Sequence, residues 1–382
     1  MILPIASLFL APGLWLIIIF VLAFQERHRL IPKKSDPVYS KVFLAFALSA
    51  LVSGILSLKW QVFLLSFVVF GMYVLTIYLI HYCDSEKKVR DILFYGYCFG
   101  VAAAVVGICI EVFDISKDFS YLRFIFGICD LVANADTEGR LAATFYNANV
   151  AATFLGAFLL AGLYFLGECR GRHLAYFGMG QGILLVALLM TGSRGALLGL
   201  FIGFFLYFLG SRNKWMTIFA AGLFALWLIL MLSFPQIFSR GELLFSDFDI
   251  RWGIWLNSIQ LFEMRPIFGW GFLGTCFTDA NVYIYLKVFH AHNIALTALT
   301  FFGISGFLIC CWLEIAKLSA AVSLFRQGNK IAPLLLGIGG VFWGQGIFDC
   351  TIVSPQGGIL YFGVSALLIA LAETHGTGDL KG

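Results

Sequence analysis

Apolar stretches about as long as a bilayer is thick recur along the whole chain, and they restrict the possible folds more than any other feature. Hydrophobic residues make up 61% of the 382 residues and charged residues only 12%. A soluble domain of this length needs more polar surface, whereas runs of about 18–20 apolar residues can cross a membrane as helices. The runs are continuously apolar rather than alternating, which disfavours a membrane β-barrel. We therefore predict an all-α, polytopic integral membrane protein.

The hydropathy pattern predicts about eleven transmembrane helices, or twelve if two of them have been merged. The predicted spans are 4–24, 41–58, 62–82, 92–113, 144–166, 174–191, 195–210, 215–234, 292–312, 331–349 and 357–373. We find no internal repeat and no appended soluble domain, so residues 1–382 are predicted to form a single membrane-embedded domain. The first span has no basic region ahead of it, so we expect no cleavable signal peptide.

Basic residues fall unequally between alternate loops. Most of the 25 lysines and arginines lie on one side of the predicted helices: Arg27, Arg29, Lys33, Lys34, Lys41, Lys87, Lys88, Arg90, Arg170, Arg172, Arg212, Lys214, Lys317, Arg326, Lys330 and Lys381. The positive-inside rule assigns that side to the cytoplasm. The N-terminus is then expected outside and the C-terminus inside.

The remaining basic residues face outward in this topology, and most of them are arginines. They are Lys59, Lys117, Arg123, Arg140, Arg194, Arg240, Arg251, Arg265 and Lys287. Arginine binds phosphate and carboxylate groups through a planar fork, so the cluster suggests an anionic ligand. The alternative is tolerated surface charge, because long loops are translocated regardless of their charge.

The longest outer segment, residues 235–291, is predicted to be an extracytoplasmic loop that contains a short amphipathic helix. Ser246–Asp247 supply a plausible N-cap, apolar and aromatic residues follow at helical spacing, and Pro266 ends the helix. Arg251 falls in its first turn, where it adds to the positive potential of a helix start. The sequence GWGFLG at 269–274 formally matches a dinucleotide-binding pattern, but no strand precedes it. We interpret its glycines as turn and close-packing positions.

Two polar positions stand out where loops meet apolar runs. Arg194 lies in a glycine-flanked turn, where an arginine is costly unless it is paired, functional or snorkelling to the headgroups. We expected Gly192 and Gly195 to leave its guanidinium accessible. His292 has three possible roles: an interfacial ring, a metal ligand together with His290, or a general base that accepts a proton from a hydroxyl. A metal site is the weaker hypothesis, because no third ligand is convincingly placed and Asp279 is the nearest candidate.

Four segments in order along residues 140–310 resemble the O-antigen ligase family. His292-Asn293, then nine residues, then Gly303-x-x-Gly306, fits that family's H-N-x9-G-x-x-G pattern. Asn147-Ala148-Asn149-Val150-Ala151 resembles the family's Asn-x-Asn-x-Ala segment. Thr191-Gly192-Ser193-Arg194-Gly195 resembles its Thr-x-Ser-Arg-Gly turn. The fourth segment, Arg251-x3-Trp255 with Pro266–Gly271, resembles its outer-loop signature.

The resemblance implies a shared chemistry. A glycan carried on undecaprenyl diphosphate is transferred to an acceptor hydroxyl at the outer face of the bacterial cytoplasmic (inner) membrane. The anomeric centre is inverted, and no metal or other cofactor is used. By matched position, Arg194 and Arg251 would bind the diphosphate, and His292 would activate the acceptor. The candidates for supporting roles are Asn293, Arg265, Arg140 and Asp349. The expected partners are the lipid-linked donor, lipid A–core or another glycan as acceptor, and membrane lipids; no nucleic acid is expected.

Within the family we favour a ligase that acts on lipid A–core, with an O-antigen or exopolysaccharide polymerase as the alternative. The Arg-x10-Gly pattern common in polymerases is absent, and the short tail after the last span disfavours a protein oligosaccharyltransferase. A polysaccharide flippase or transporter is less favoured, because the spans are poor in ionisable groups. Family ligases usually have twelve spans with both termini inside, so eleven spans are a departure. Gly303 and Gly306 are expected to pack against a neighbouring helix.

Overall fold

The computed structural model describes residues 2–32, 38–129, 139–237, 244–280 and 288–375, and these form α-helices joined by turns and short 3-10 segments, with no strand. The helices are α1 (Ile2–Leu10), α2 (Trp15–Glu26), α3 (Val38–Leu56), α4 (Trp60–Tyr82), α5 (Glu86–Val112), α6 (Tyr121–Phe126), α7 (Ala148–Glu168), α8 (Arg172–Met190), α9 (Arg194–Gly210), α10 (Lys214–Ser233), α11 (Leu244–Met264), α12 (Ile294–Arg326), α13 (Ala332–Gln345) and α14 (Pro355–Thr374).

The predicted all-α polytopic membrane fold is confirmed. Within the described residues, eight helices are long and apolar enough to cross a membrane, namely α3, α4, α5, α7, α8, α10, α12 and α14. Three shorter apolar helical segments accompany them, at Pro12–Glu26, Arg194–Gly210 and Ala332–Gln345. Together these segments occupy the positions of the eleven predicted spans.

The first predicted span, 4–24, is not one continuous helix. A 3-10 turn at Pro12–Leu14 separates α1 from α2, because Pro12 has no backbone N–H with which to continue the helix. The hydroxyl of Thr144 donates to the carbonyl of Phe9 in the last turn of α1. The two pieces then pack on different partners, α1 on α5 and α2 on α4.

Helix α12 is interrupted in its first third, where backbone of residues 266–271 takes over some of its hydrogen bonds. Gly303 has φ +63° and ψ −167°, which interrupts the helical hydrogen bonds. The N–H of Ile304 donates instead to the carbonyl of Pro266 (2.8 Å), and the N–H of Gly271 donates to the carbonyl of Phe301 (2.7 Å). Irregular backbone at membrane depth is tolerated when such partners satisfy it. The opening fixes residues 266–271 of the outer segment to the first part of α12.

The glycines at this junction work as the sequence predicted, with one difference. Gly269 and Gly271 have φ of +67° and +84°, so they are turn residues; Gly269 packs on the backbone of α12, and Gly271 packs against Gly54 of α3 and Val62 of α4. A Cβ on Gly303 would lie 2.3 Å from the carbonyl oxygen of Ile267, so Gly303 packs against this loop rather than against a neighbouring helix. Helix α12 also continues to Arg326, well beyond the predicted end of that span at 312.

Small residues bring α9 and α13 into the closest helix pair of the bundle. A Cβ on Gly203 would lie 2.8 Å from the carbonyl of Gly337, and one on Gly344 would lie 2.6 Å from the Cα of Gly199. Glycine allows helix backbones to approach this closely in a membrane. The N-terminus of α9 therefore lies beside the C-terminus of α13.

The prediction that Lys317 lies in a cytoplasmic loop is wrong. Lys317 lies within α12, is only 7% exposed, and pairs with Glu314 at 2.7 Å. The error arose because the charge was taken as the end of the apolar run, whereas the pair allows the helix to continue past it. An ion pair inside a span also weakens the sequence argument against a transporter, which relied on spans poor in ionisable groups.

Candidate active site

His292 and Asp349 meet at one end of the helix bundle. His292 immediately precedes the N-cap of α12, Asp349 follows α13, and His292 Nδ1 lies 3.1 Å from Asp349 Oδ1. The same oxygen accepts the N–H of Cys350 at 2.7 Å. Because a carboxylate only accepts hydrogen bonds, Nδ1 carries the ring proton and Nε2 keeps its lone pair. The Asp349 side chain is 9% exposed and that of His292 34%, so the ring can reach a substrate while the carboxylate stays inside.

The start of α12 is tied to the end of α13 by Asn293. Its side-chain oxygen caps α12 by accepting the N–H of Leu296 (3.0 Å), and its amide donates to the carbonyl of Ile347 (3.1 Å). The N–H of Ile294 donates to the carbonyl of Gly346 at 2.7 Å. These contacts hold the two segments that carry the histidine and the aspartate in fixed register.

His290 lies against His292 and is the more buried of the two rings. The ring centroids are 4.4 Å apart, and His290 Nδ1 accepts the backbone N–H of His292 at 3.1 Å. This bond supports the left-handed backbone of His292, whose φ is +47°. Burial, together with the nearby His292, lowers the pKa of His290 to about 4, although the Asp349 carboxylate opposes the shift. His290 is therefore neutral near pH 7.

The pKa of Asp349 is lowered by its surroundings despite its burial. Burial acts to raise it, but the hydrogen bond and charge of His292, the neighbouring His290 and the N–H of Cys350 together outweigh that effect. The carboxylate is thus ionised at neutral pH, as the hydrogen-bonding role assigned above requires.

The second asparagine of the Asn-x-Asn segment connects this pair to an arginine. Asn149 Nδ2 donates to Asp349 Oδ2 at 2.6 Å, and Arg140 Nη2 donates to Asn149 Oδ1 at 2.9 Å. Arg140 Nε is held by the carbonyl of Thr191 at 2.8 Å. The first asparagine, Asn147, caps α7 and so positions Asn149 one residue inside the helix. We call His290, His292, Asp349, Asn149 and Arg140 the His292 cluster.

Arg251 and the rest of α11 lie against this cluster. Arg251 Nε donates to the carbonyl of Phe348, the residue before Asp349, at 3.0 Å. Trp255 Nε1 points at the carbonyl of His292, at 3.4 Å. The predicted helix in the outer segment is therefore present, although α11 begins at Leu244 rather than at Ser246–Asp247.

Arg194 is the first residue of α9, and it is paired rather than snorkelling. Its Nη2 lies 2.5 Å from Asp247 Oδ2, and both side chains are largely buried. Ser193 caps the helix, and Gly195 is required for packing, because a Cβ there would lie 2.7 Å from Gln345 Oε1. The expectation that Gly195 leaves the guanidinium accessible is thus replaced by a packing role. Asp247, on α11, links Arg194 to the helix that carries Arg251.

The other outward basic residues divide into structural contacts and residues outside the described chain. Arg265, predicted to support the site, stacks on Trp270 at 4.4 Å and donates to the carbonyl of Leu56 at 3.3 Å. Lys117 pairs with Glu111 at 2.6 Å. Arg240 and Lys287 lie outside the described residues.

Three side chains of the cluster meet the spacing of a metal site. Ligand atoms of His290, His292 and Asp349 all lie within 4.8 Å of one another, so the third candidate ligand is Asp349 and not Asp279. Both ring nitrogens approach the same oxygen, at 3.1 and 3.7 Å. Metal ligands lie about 2.0–2.2 Å from a zinc ion, with the ion between them. In the described arrangement the ring of His292 forms a direct hydrogen bond with the Asp349 carboxylate.

Comparison with known families identifies the central part of the chain. Residues 181–311 match the O-antigen ligase family. The resemblance inferred from the motifs is thereby confirmed, and the matched segment contains Arg194, Arg251 and His292. The O-antigen ligase family is related to glycosyl transfer, and together with the apolar helices it implies a multi-pass protein of the bacterial inner membrane. No curated protein matches the chain.

For three residues around these motifs, the contacts that they make in the structure were not predicted from the sequence. Asn149 stood within a quoted motif, and its i+2 spacing from the capping Asn147 was the available signal. His290 also stood two residues from His292, but a positive φ between them cannot be read from the sequence. Asp247 was read only as a helix cap, although an acid four residues before Arg251 is also a charge-pair signal.

Proposed function

We propose that the protein transfers a glycan from undecaprenyl diphosphate to a hydroxyl of lipid A–core at the extracytoplasmic face of the cytoplasmic membrane. The observation that carries this proposal is the ionised Asp349 bonded to a partly exposed His292, beside Arg251 and Arg194. A positioned base next to anion-binding groups is what the displacement of a diphosphate by a hydroxyl requires. The match to the O-antigen ligase family supports this class of reaction.

The reaction is a direct displacement with inversion. The acceptor oxygen attacks the anomeric carbon of the donor, the bond from that carbon to the diphosphate oxygen breaks, and its electron pair leaves with the diphosphate. Nε2 of His292 takes the hydroxyl proton as the new bond forms. Asp349 orients the ring and stabilises the imidazolium that results. None of these steps uses a metal.

The diphosphate is bound by Arg251 and Arg194. Arg251 is aligned by its bond to the carbonyl of Phe348, one residue from Asp349. Arg194 is neutralised by Asp247 when no donor is bound, and a diphosphate, which carries more charge than one carboxylate, takes the place of Asp247. Neutralising the developing charge makes the lipid diphosphate a good leaving group.

In this proposal Asn149 holds Asp349 by a hydrogen bond, Arg140 holds Asn149, and neither residue contacts the substrate. The chain from Arg140 through Asn149 satisfies Asp349 Oδ2 and leaves Oδ1 for the histidines. A fixed carboxylate holds the Nδ1–H of His292, so the opposite ring nitrogen, Nε2, is the one directed at the acceptor.

The assignment to the extracytoplasmic side rests on charge. Arg170, Arg172, Arg212, Lys214 and Arg326 lie at the ends of α7, α8, α9, α10 and α12 that are opposite the His292 cluster. The positive-inside rule assigns those ends to the cytoplasm and the cluster to the other side.

The test is a transfer assay with purified protein, glycan-bearing undecaprenyl diphosphate and lipid A–core, with excess chelator in a parallel reaction. We expect transfer to lipid A–core that survives chelation and is lost in His292→Ala, Arg194→Ala and Arg251→Ala. Undiminished transfer by His292→Ala would sink the mechanism. Glycan growth on the carrier lipid alone would make the protein a polymerase, and movement of glycan without a new glycosidic bond would make it a transporter.

A further inference from the structure

A cavity of about 760 Å³ extends along α12 inside the helix bundle. At one end it is lined by Ile294 and Cys350, which directly follow Asn293 and Asp349 of the site. From there it passes between α4, α9, α12, α13 and α14 towards Lys317. Most of its lining side chains are aliphatic or aromatic. Ile315, Leu318 and Trp343 line it and are also exposed, so the cavity that begins beside the site opens on the outer surface of the bundle.

The polar groups at the far end of the cavity are occupied by one another. Lys317 Nζ contacts Glu314 at 2.7 Å, the hydroxyl of Tyr361 at 3.0 Å and that of Ser365 at 3.2 Å, so each ammonium N–H has an acceptor. Trp343 Nε1 donates to the second carboxylate oxygen of Glu314 at 3.0 Å. Mutually satisfied charges offer little to a polar headgroup. The cavity is suited to hydrocarbon that ends against this cluster.

We propose that this cavity binds the hydrocarbon chain of a lipid substrate, and that the chain is the isoprenoid of the diphosphate-linked donor. The inference rests on the proposed function. A methylene group fills roughly the space of a water molecule, about 30 Å³, so the cavity has room for roughly 25 carbons. That is a little under half of an undecaprenyl chain, and the remainder lies in the bilayer.

The donor fits better than the acceptor because of what stands at the mouth. Phe348, whose carbonyl holds Arg251, lies two residues from the cavity-lining Cys350. A chain that enters the cavity at this end has its diphosphate on the side where Arg251 is held. The bilayer is as apolar as the cavity, so hydrophobic transfer adds little, but side chains packed around the hydrocarbon supply van der Waals contacts that fluid lipid does not. Filling the cavity is therefore expected to weaken donor binding as well as to misalign the scissile bond.

Gly339 allows the cavity to be filled without disturbing the fold. It lines the cavity, and no heavy atom lies within 4 Å of a Cβ built on it. Gly222 on α10 is an equally open helical glycine that does not line the cavity. Gly339→Leu is thus the test variant and Gly222→Leu its matched control, and the two should unfold at similar temperatures.

The first measurement compares Michaelis constants for the two substrates. We expect Gly339→Leu to raise the KM for the undecaprenyl donor by at least about fivefold, as overpacking does, and to leave the acceptor KM unchanged. Gly222→Leu should change neither value. A rise confined to the acceptor KM would overturn the assignment to the donor, and no change in either KM would overturn the cavity proposal.

The second measurement does not depend on transfer. Undecaprenyl phosphate with a photoreactive group in its chain should label the part of α12 that follows Gly303. We expect this labelling in the wild type, in His292→Ala and in Gly222→Leu, but not in Gly339→Leu. Equal labelling by a photoreactive phospholipid would show that bulk lipid fills the cavity and would overturn the proposal. Absent labelling in a protein whose transfer still depends on His292 would refute the cavity site while leaving the proposed function intact.

Discussion

Two histidines approach the same carboxylate oxygen, and burial makes them chemically unequal. His290 is 17% exposed and has a pKa near 4, so it stays neutral and serves as an acceptor for the N–H of His292. His292 is twice as exposed, and its free nitrogen can meet a hydroxyl. In the proposed mechanism His292 therefore takes the proton from the acceptor, and His290 positions it.

The buried His290 predicts a loss of stability in acid. Its pKa falls from 6.5 in the unfolded chain to about 4 in the folded protein, so between these values the unfolded state binds more protons. The free energy of unfolding is therefore highest, with respect to His290, above pH 6.5, and it decreases as the pH falls towards 4. At pH 5 the decrease is about 2 kcal/mol. We expect the unfolding temperature of His290→Gln to differ less between about pH 7.5 and pH 5 than that of the wild type does.

The readout is the apparent unfolding temperature in detergent, with the exposed His173→Gln as control. An unchanged pH dependence in His290→Gln would show that His290 is protonated in the folded protein.

In the proposed mechanism Asp349 acts through His292, so its replacement should affect the rate rather than donor binding. Asp349→Asn keeps the shape but removes the charge that stabilises the imidazolium, and kcat should fall by about 100-fold or more. The acid limb of the pH–rate profile should also shift, which a purely structural defect would not cause. Asp279→Asn, at an exposed position of the outer segment, is the control. A variant with normal kcat and raised donor KM would contradict this role.

At the residue scale, the sequence was most informative where one side chain carries the chemistry. Arg194, Arg251 and His292 were singled out from charge, context and family pattern, and Asp349 was named as a candidate partner. Asn149 and Asp247 were assigned no chemistry because their importance depends on residues far away in sequence, Asp349 and Arg194. No local pattern encodes such a contact.

Helix α11 is held on the site through polar contacts about one turn apart, at Asp247, Arg251 and Trp255. Asp247 binds Arg194, Arg251 binds the carbonyl of Phe348, and Trp255 points at the carbonyl of His292. The salt bridge is the contact that a diphosphate would replace. The position of α11 thus depends on what occupies Arg194.

Removing the charge of Asp247 should strengthen donor binding. In Asp247→Asn the guanidinium of Arg194 loses its ion pair with this carboxylate, so the donor KM should fall by about threefold. Arg194→Ala should raise it. Asp249→Asn, two residues along on the exposed face of α11, is the matched control. If Asp247→Asn raised the donor KM as Arg194→Ala does, Asp247 would be part of the donor site rather than a competitor for it.

The opening of α12 should be sensitive to a single methyl group. At Gly303 an alanine would meet both a positive φ and the carbonyl of Ile267 at 2.3 Å. We expect Gly303→Ala to lower the apparent unfolding temperature by roughly 5 °C and to reduce transfer. Gly182→Ala, on α8 where a Cβ meets no atom within 4 Å, should do neither. Equal behaviour of the two variants would show that the junction tolerates a side chain.

At the element scale, hydropathy located the membrane helices but not their interruptions. Pro12 and Gly303 both lay inside predicted continuous spans. The first follows from Pro12 itself, which has no backbone N–H, whereas the second depends on a distant partner, the backbone at 266–271. The prediction for Lys317 was wrong for a different reason. Its charge was interpreted as the end of a span, whereas Glu314 pairs with it and the helix continues.

In the whole molecule, a polar cluster stands at one end of the bundle and an apolar cavity leads away from it. The eleven apolar helical segments and the topology that places Arg194, Arg251 and His292 on one side were predictable from composition and charge. The cavity was not, because it results from how α4, α9, α12, α13 and α14 pack. A lipid-linked substrate has the same division, with a charged group at one end and a hydrocarbon chain at the other.

The most direct test of the account is the rate of glycan transfer by His292→Gln at saturating donor and acceptor, compared with His290→Gln. The account predicts that His292→Gln lowers kcat by about 100-fold or more with little change in donor KM. His290→Gln should lower kcat much less, because it retains the base. A His292→Gln protein that transfers glycan at the wild-type rate would contradict the assignment of His292 as the base.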